Sequence, residues 1–354
     1  PTTTDKELGF VVAALGNDEL TYEKKHEFNF GVDAGFFNNR LNVTFDVYQR
    51  RNFDEIAPTV TQLYGTAYAN VGSMKSWGEE LSISSTNVKT NDFSWQTSLI
   101  YSHNRTKITD LYNQGRVIDL VQGNGFAKQG YPARALFSIP FVGINEKGNP
   151  VCINEKGQAT VGDLNFQERN NTDYLIYEGS TDPIYNGSLG NTFNYKGFHL
   201  NLFLTYAFGN VVRLDPVFKA KYNDLTSMTH DFKNRWMQPG DENVTNVPGV
   251  VSRYEYEQNR TLLSTAYNAY NYTSVRTAKG DFIRLKEISL AYDFPHRWLE
   301  NSPVNNISLK LQATNLMLLY ADKKLNGQDP EFMNAGGVAS PMPKQFTLTL
   351  KLGL

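Results

Sequence analysis

The sequence repeats one pattern, in which segments of about ten residues alternate apolar and polar side chains. The last segment shows it most clearly, because Phe346, Leu348, Leu350, Leu352 and Leu354 alternate with polar residues or glycine. Successive side chains of a strand point to opposite faces, so the pattern predicts strands with one apolar face. In a soluble sheet that face contacts a core, and in a transmembrane barrel it contacts lipid.

Nine segments of the chain carry the pattern and are predicted to be strands. They lie at 28–36, 41–47, 80–84, 94–101, 189–195, 198–208, 287–293, 307–314 and 346–354. The connections after the first, third, fifth and seventh segments are short, at 38–39, 89–92, 196–197 and 295–303. Asn and Gly suit such turns because they tolerate positive φ. Ile283 and Leu285 have the wrong parity for their strand, which predicts a β-bulge.

The other connections are long, and two of them, at about 107–184 and 209–280, exceed ordinary loop lengths. Outer-membrane barrels have short periplasmic turns and long extracellular loops. A soluble sandwich has no reason to keep its long loops at one end. We therefore predict an all-β fold, an antiparallel transmembrane β-barrel with both loops outside the cell. A secreted or surface all-β adhesin, with lectin-like binding, is the alternative that the pattern leaves open.

The composition of the chain further restricts the class of protein to which it can belong. The 354 residues fit one large all-β unit, and no run of 18 apolar residues predicts a transmembrane helix. Aromatic residues make up 13% of the chain, and those at strand ends suit the aromatic girdles of a barrel. The net charge of −2 gives no nucleic-acid-binding signal, and the single Cys152 excludes an intrachain disulfide. Because the chain starts at Pro1 without a signal-like segment, we expect a mature or partial chain.

Several passages resemble the C-terminal barrel of SusC/RagA-type TonB-dependent outer-membrane transporters. They are LTYEKKHEFNFGVDAGFFNNRL (20–41), NVGSMKSWGEELSIS (70–84), GYPARALFSIPFVGINEKG (130–148), YKGFHLNLFLTYAFGN (195–210), FIRLKEISLAYDFP (282–295), LQATNLMLLY (311–320), NGQDPEF (326–332) and PMPKQFTLTLKLGL (341–354). The resemblance implies a barrel of roughly 22 strands. Nine strands would leave an open edge in lipid. We therefore expect 1–354 to be the C-terminal part of the barrel, without the plug domain and the N-terminal strands. Such barrels usually end in an aromatic residue, whereas this chain ends in Leu354.

The resemblance also implies a function. It predicts active import of oligosaccharides or oligopeptides across the outer membrane of a Gram-negative bacterium. The implied protein partners are a SusD-like surface lipoprotein that acts as a lid and the TonB–ExbB–ExbD complex, which would act through an N-terminal region outside this chain. The substrate and outer-membrane lipid are the other partners, and a dimer of transporter–lid pairs is compatible with the resemblance. No nucleic acid is expected as a partner.

Nothing in the sequence predicts an enzyme. The five His residues are scattered without metal-ligand spacing, and no glycine-rich phosphate loop is found in the required context. The Asp329-Pro330-Glu331 motif is interpreted as a rigid turn rather than an acid/base pair. We therefore expect no catalytic residue, no metal and no cofactor.

Aromatic residues in the two longest loops are the candidates for contacting a substrate or the lid protein. They are interleaved with Asn, Asp, Gln and Arg, and flat aromatic faces beside hydrogen-bonding groups suit sugar rings and peptides. The candidates are Tyr131, Phe137, Tyr174, Tyr177, Trp236, Tyr254, Tyr256, Tyr267 and Tyr270. For most of them individually, packing of the loops against each other or against a partner protein is the favoured explanation.

Overall fold

One antiparallel sheet of nine strands dominates the fold. The computed structural model describes residues 2–4, 7–9, 17–61, 65–217, 228–300, 303–333 and 343–353, so Leu354 lies outside the described residues. The strands are β1 (Lys24–Phe36), β2 (Leu41–Thr61), β3 (Gly65–Lys89), β4 (Phe93–Leu111), β5 (Tyr185–Tyr195), β6 (Phe198–Phe208), β7 (Phe282–Asp293), β8 (Asn306–Ala321) and β9 (Gln345–Gly353).

Each strand of this sheet pairs with its neighbour in sequence, so the spatial order follows β1 to β9. All nine predicted strands and their antiparallel arrangement are confirmed. A series of hairpins without crossovers is the arrangement of an up-and-down barrel wall. Within the described residues the wall is not closed, because β1 and β9 are both edge strands.

The short connections form tight turns at one end of the sheet, which we call the turn end. Lys196 and Gly197 have φ values of 46° and 88°, as a two-residue type I′ hairpin requires. Phe37, Asn38 and Asn39 also have positive φ, at 57°, 55° and 63°. In a series of hairpins alternate connections share an end, so the long connections lie together at the opposite end, which we call the loop end.

One face of the sheet is apolar across the strands, and we call it the outer face. The register places Val32, Phe45, Leu81 and Tyr101 opposite one another across β1 to β4. A second row across β5 to β9 consists of Phe193, Leu200, Leu290, Leu311 and Leu348. The other face, which we call the inner face, carries residues such as Asp33, Thr44 and Ser82. The outer side chains are exposed, at 69% for Leu348, and such a surface suits contact with lipid.

The bulge predicted at the start of β7 is confirmed. The ladder between β7 and β8 shifts register between Leu285 and Glu287. The extra residue reverses the side-chain parity. As a result Leu285 lies opposite Leu204, and Ile283 lies opposite Tyr206, on the outer face. The bulge therefore places both Ile283 and Leu285 on the outer face, which stays apolar at this end of β7.

One connection that the sequence pattern predicted to be a long loop is strand instead. β2 continues to Thr61 and β3 begins at Gly65, well beyond the apolar segments. The alternation stops near Asp54, whose φ of 57° belongs to an irregularity between Asn52 and Glu55. Because a bulge shifts the parity while backbone pairing continues, the strands extend where the apolar pattern ends.

The long connections fold into a layer of short elements at the loop end. Its helices are α1 (Val117–Val121), α2 (Arg253–Gln258) and α3 (Arg260–Asn271). Its strands are Ala135–Ser138 with Ile176–Ser180, Phe141–Ile144 with Pro150–Ile153 and Ala159–Thr160, and Val211–Arg213 with Thr277–Lys279. Short 3₁₀ helices lie at His230–Asn234, Asp241–Asn243, Ser274–Arg276, Lys323–Leu325 and Pro330–Phe332, and a further one, His296–Trp298, lies in the connection at the turn end.

Near the N-terminus Thr2–Thr4 pairs with Glu7–Gly9. None of the helices in the described part of the chain is long and apolar enough to cross a membrane.

The main hydrophobic clusters of the described residues lie in this layer and not between sheets. We call the described residues of 112–184 and 209–281 the roof. One cluster contains Phe137 and Leu120, and the next contains Leu263 and Tyr270. Hydrogen bonds from Ile108 N to Tyr131 O and from Gly130 N to Ile108 O, at 2.8 and 2.9 Å, attach the roof to β4.

Candidate functional site

Three candidate aromatic residues of the first long connection form one cluster in the roof. The ring centroids of Tyr131 and Phe137 are 5.0 Å apart, and Tyr177 lies 4.9 Å from Tyr131. Lys128 Nζ lies 5.2 Å from the Phe137 ring centroid, within cation–π range. Phe137 is buried, whereas Tyr177 is 40% exposed. The cluster therefore presents one aromatic edge to solvent above a packed base.

The second long connection is built around α3. Leu263, Ala266, Tyr267 and Tyr270 follow the i, i+3, i+4, i+7 spacing of one helix face, and all four are buried. The Tyr267 hydroxyl donates to Gly249 O at 2.7 Å. Burial raises the pKa of Tyr270 to about 12 and also raises that of Tyr267. Both phenols are therefore neutral in the folded roof at physiological pH.

Trp236 connects the two halves of the roof. Its Nε1 donates to Glu242 Oε2 at 2.9 Å, and this hydrogen bond is the main reason that the pKa of the Glu242 carboxyl is lowered. The indole ring lies directly over Gly148, where an added Cβ would approach a ring carbon to 2.4 Å. Gly148 has a φ of 79°, so both the conformation and the contact require glycine. Most of the Trp236 ring is therefore occupied by intramolecular packing.

Arg213 fixes the two long connections to each other from the inside. Its Nη1 donates to Thr273 O at 2.8 Å, and its Nη2 lies 2.7 Å from Phe137 O, 3.2 Å from Val121 O and 3.1 Å from Ser138 Oγ. Burial lowers the pKa of this guanidinium to about 10. It therefore stays charged at neutral pH, and its hydrogen bonds are charge-assisted.

The Asp329-Pro330-Glu331 motif attaches the connection between β8 and β9 to the sheet. Buried Arg284 of β7 places Nη2 2.6 Å from both carboxylate oxygens of Asp329 and 3.1 Å from Glu331 Oε2. Asp329 also accepts a hydrogen bond from the Glu331 backbone N–H and caps a short 3₁₀ helix. The interpretation of this motif as a rigid turn is confirmed, and its carboxylates bind an arginine of the same chain.

A cavity of about 230 Å³ lies beside this motif, bordered by Asp215, Asp231, Arg276 and Gln328. Several of its polar groups are paired with each other. Arg276 Nη1 lies 2.7 Å from Asp231 Oδ2, and Gln328 Nε2 donates to Asp215 Oδ2 at 2.8 Å. The cavity is smaller than most small-molecule sites. We therefore assign these groups to roof stability.

The nine predicted site residues divide by exposure. Phe137, Tyr267 and Tyr270 are buried, and Tyr131, Tyr174, Trp236 and Tyr256 are partly buried, so these side chains pack the roof as the sequence analysis favoured. Tyr177 and Tyr254 are exposed, at 40% and 77%. These two keep an accessible face for a substrate or a partner, and their role as contacts stays a prediction.

The sequence pattern did not predict the helices or the roles of Arg213 and Arg284. No sequence spacing indicates the two arginines, because their acceptors come from distant parts of the chain. In contrast, the apolar spacing from Leu263 to Tyr270 is a helical signal that was visible in the sequence. Among the described residues no group of His, Cys, Asp or Glu side chains could hold a metal ion.

The fold and the roof together define a class of protein. Hairpins with short turns at one end, a folded roof at the other and an apolar outer face form part of the wall of an outer-membrane β-barrel.

The chain belongs to the family described as "TonB dependent receptor-like, beta-barrel", whose sequence model matches residues 2–215. It is 26% identical over 390 residues to the TonB-dependent receptor P39 of Formosa agariphila, covering 94% of this chain and 35% of that protein. It is also 26% identical over 356 residues to the TonB-dependent receptor SusC of Bacteroides thetaiotaomicron, covering 96% of this chain and 32% of that protein.

Solved structures agree with this assignment of the fold. The chain superposes on the structure of the RagAB peptide transporter with a TM-score of 0.74 and 24% identity, over 99% of this chain and 37% of that one. The chain thus spans about a third of the length of the proteins it matches. Family membership and the similarity to SusC confirm the SusC/RagA-type resemblance and the outer-membrane location, and they favour a transporter of this type over the adhesin alternative.

Proposed function

We propose that this chain is the C-terminal part of an outer-membrane importer that takes up oligosaccharides or oligopeptides. In this proposal, the TonB–ExbB–ExbD complex supplies the energy through regions outside the chain, and a SusD-like lipoprotein closes the roof. The proposal is supported by family membership and by similarity to proteins that include SusC and RagAB, the latter named a peptide transporter. The chain would bind and release its substrate without covalent chemistry, and the absence of catalysis stays a prediction.

The observation that carries the lid proposal is a set of exposed apolar side chains on the second half of the roof. Between residues 237 and 262 five large hydrophobic side chains are exposed. They are Met237 at 67%, Val244 at 84%, Val250 at 46%, Tyr254 at 77% and Leu262 at 43%. Exposed aromatic and methionine side chains are enriched at protein interfaces, where a few of them carry most of the binding energy.

Tyr254→Ala tests this proposal with a matched control. Tyr254 stands on α2, and Phe37 has the same exposure of 77% at the turn end of the sheet. We expect Tyr254→Ala, combined with Val244→Asp, to reduce co-purification of a surface lipoprotein by about tenfold or more. Phe37→Ala should leave co-purification unchanged.

Growth on defined nutrients tests the import itself. Cells that carry the roof variants should grow more slowly on one complex glycan or one peptide mixture and normally on monomeric nutrients. The affected nutrient then identifies the substrate class. Unchanged growth on every glycan and peptide, with no lipoprotein bound to the unmodified protein, would contradict the proposal.

Point substitutions test this proposal better than a deletion of the segment would. Deleting the loop from Tyr254 to Tyr270 removes most of α3, and with it the buried Leu263, Tyr267 and Tyr270. Such a deletion would remove the core of the roof together with its surface. Point substitutions at exposed positions separate the two effects.

A further inference from the structure

The outer face becomes polar and then basic towards the loop end. Arg51 of β2, Lys75 of β3 and Lys107 of β4 are directly opposite one another in the register. They have the parity of Phe45, Leu81 and Tyr101, so they belong to the outer face. We call these three residues the basic row. His26 of β1, opposite Arg51, continues it towards the edge of the sheet.

The basic row has no acidic partner in the described part of the chain. None of its three side chains forms an ion pair with the described carboxylates, and Arg51 and Lys107 are exposed. Asp110, opposite Ser73, is the next outer-face residue of β4 beyond Lys107, and it forms no ion pair with the row. Two other acidic groups on this face are paired elsewhere or lie further away. Asp54 pairs with Lys24 at 2.8 Å, and Glu79 lies nearer the turn end, 3.8 Å from His103.

Like charges in directly opposed positions destabilise a sheet, because the Cβ atoms of neighbouring strands are only about 5 Å apart. Three cations in one row therefore favour an anion bound outside the sheet. The next outer-face row on the turn-end side consists of Gln49, Trp77 and Arg105, and the Trp77 ring centroid lies 6.0 Å from Lys75 Nζ. An aromatic residue followed by a cation is the order of side chains at a membrane interface.

The height of the basic row above the turn end also agrees with a position at the membrane interface. Arg51 is ten residues beyond Leu41, the first residue of β2. At about 3.3 Å per residue and a tilt of about 40°, ten residues rise about 25 Å, which is the height of the apolar band of an outer-membrane barrel. The row therefore lies at the edge of the band, at the level of the headgroups of the outer leaflet.

We propose that the basic row binds the phosphate groups of anionic lipids in the outer leaflet, and so holds this part of the barrel wall in the membrane. The site faces outwards, away from the roof. The lipid-binding proposal depends on the outer-membrane location of the chain and not on the proposed import function. An experiment can therefore disprove either proposal without disproving the other.

The test counts lipids that stay with the protein. The protein is extracted from its native outer membrane into polymer-bounded lipid particles, and phosphate-bearing lipid A and phosphatidylglycerol are counted by mass spectrometry. The test variant is Arg51→Gln/Lys75→Gln/Lys107→Gln. The control variant, Lys147→Gln/Arg260→Gln/Lys323→Gln, removes three exposed cations from loop-end segments outside the row.

We expect the row variant to retain fewer of these lipids, with affinity falling by about fivefold for each charge removed. The control should retain the normal number, and Lys75→Arg/Lys107→Arg should also do so. The heat-modifiable migration of folded barrels on gels confirms that each variant is folded, and the single substitutions provide the test if the triple variant does not fold. Equal lipid retention in the row and control variants would overturn the proposal. Normal lipid retention with loss of a bound protein would overturn it as well and would identify an acidic protein partner.

Discussion

Leu202 and Asn201 are adjacent in β6 and point to opposite faces, so a lysine at each position measures what those faces contact. Leu202 lies between Asn191 of β5 and Ile288 of β7 on the outer face, four residues from Phe198 and six from Phe208. It is therefore near the middle of the strand.

A lysine near the bilayer midplane on the lipid face of a barrel costs about 2–4 kcal/mol. We expect Leu202→Lys to lower the free energy of unfolding by that amount. Asn201 accepts a hydrogen bond from Thr192 Oγ1 at 3.2 Å on the inner face. Asn201→Lys should therefore cost about 1 kcal/mol, the value of one such bond.

The measurement is equilibrium unfolding of the intact barrel in phosphatidylcholine vesicles, followed by tryptophan fluorescence over a range of urea concentrations. Both variants carry the added lysine in the same strand and at nearly the same depth. The difference between their urea midpoints therefore reports whether each face of the sheet contacts lipid or water. Equal destabilisation by the two lysines would refute the assignment of the outer face to lipid.

Three further predictions concern the roof and its attachment. Arg213→Met leaves several buried carbonyls without a donor, so it should lower roof stability by about 3 kcal/mol or more and speed limited proteolysis of residues 112–184, with Arg213→Lys less affected. Arg284→Met breaks a buried ion pair and should cost about 3–5 kcal/mol, whereas the double variant with Asp329→Leu should recover part of that loss in a thermal unfolding assay. Burial raises the pKa of the Cys152 thiol from 9.0 to about 12. Below pH 9 the thiol is neutral in both states, and as the pH rises from 9 towards 12 it ionises only in the unfolded chain, so roof stability should fall over that range. Maleimide labelling at pH 8 should likewise be slow until the roof unfolds.

The strands of the barrel wall were predictable because their chemistry is local and repeated. Each apolar segment needs only alternation, as in Phe346 to Leu352, and each tight turn needs residues that accept positive φ, such as Asn38 and Gly197. The wrong parity of Ile283 and Leu285 correctly indicated the bulge in β7. In β2 beyond Asp54 a bulge interrupts the alternation, so the pattern carried no signal there and the extension of the strand was missed.

The roof was not predictable in the same way. Its packing depends on contacts between residues far apart in sequence, such as Arg213 with Phe137 or Trp236 with Gly148. Composition identified the aromatic residues, and the structure then divided them by burial. Phe137 and Tyr270 pack the interior, whereas Tyr254 is available for contact. Burial is decided by tertiary structure, so composition alone could not separate them.

The orientation of the barrel wall is the claim on which the account depends, and two cysteines test it directly. Asn91 lies in the short connection between β3 and β4 at the turn end, and Lys147 is an exposed residue of the roof. Each residue is replaced by cysteine, and a membrane-impermeant maleimide is applied to intact cells. We predict that Lys147→Cys is labelled on intact cells and that Asn91→Cys is labelled only after the outer membrane is permeabilised. Labelling of Asn91→Cys on intact cells, with Lys147→Cys protected, would contradict the account.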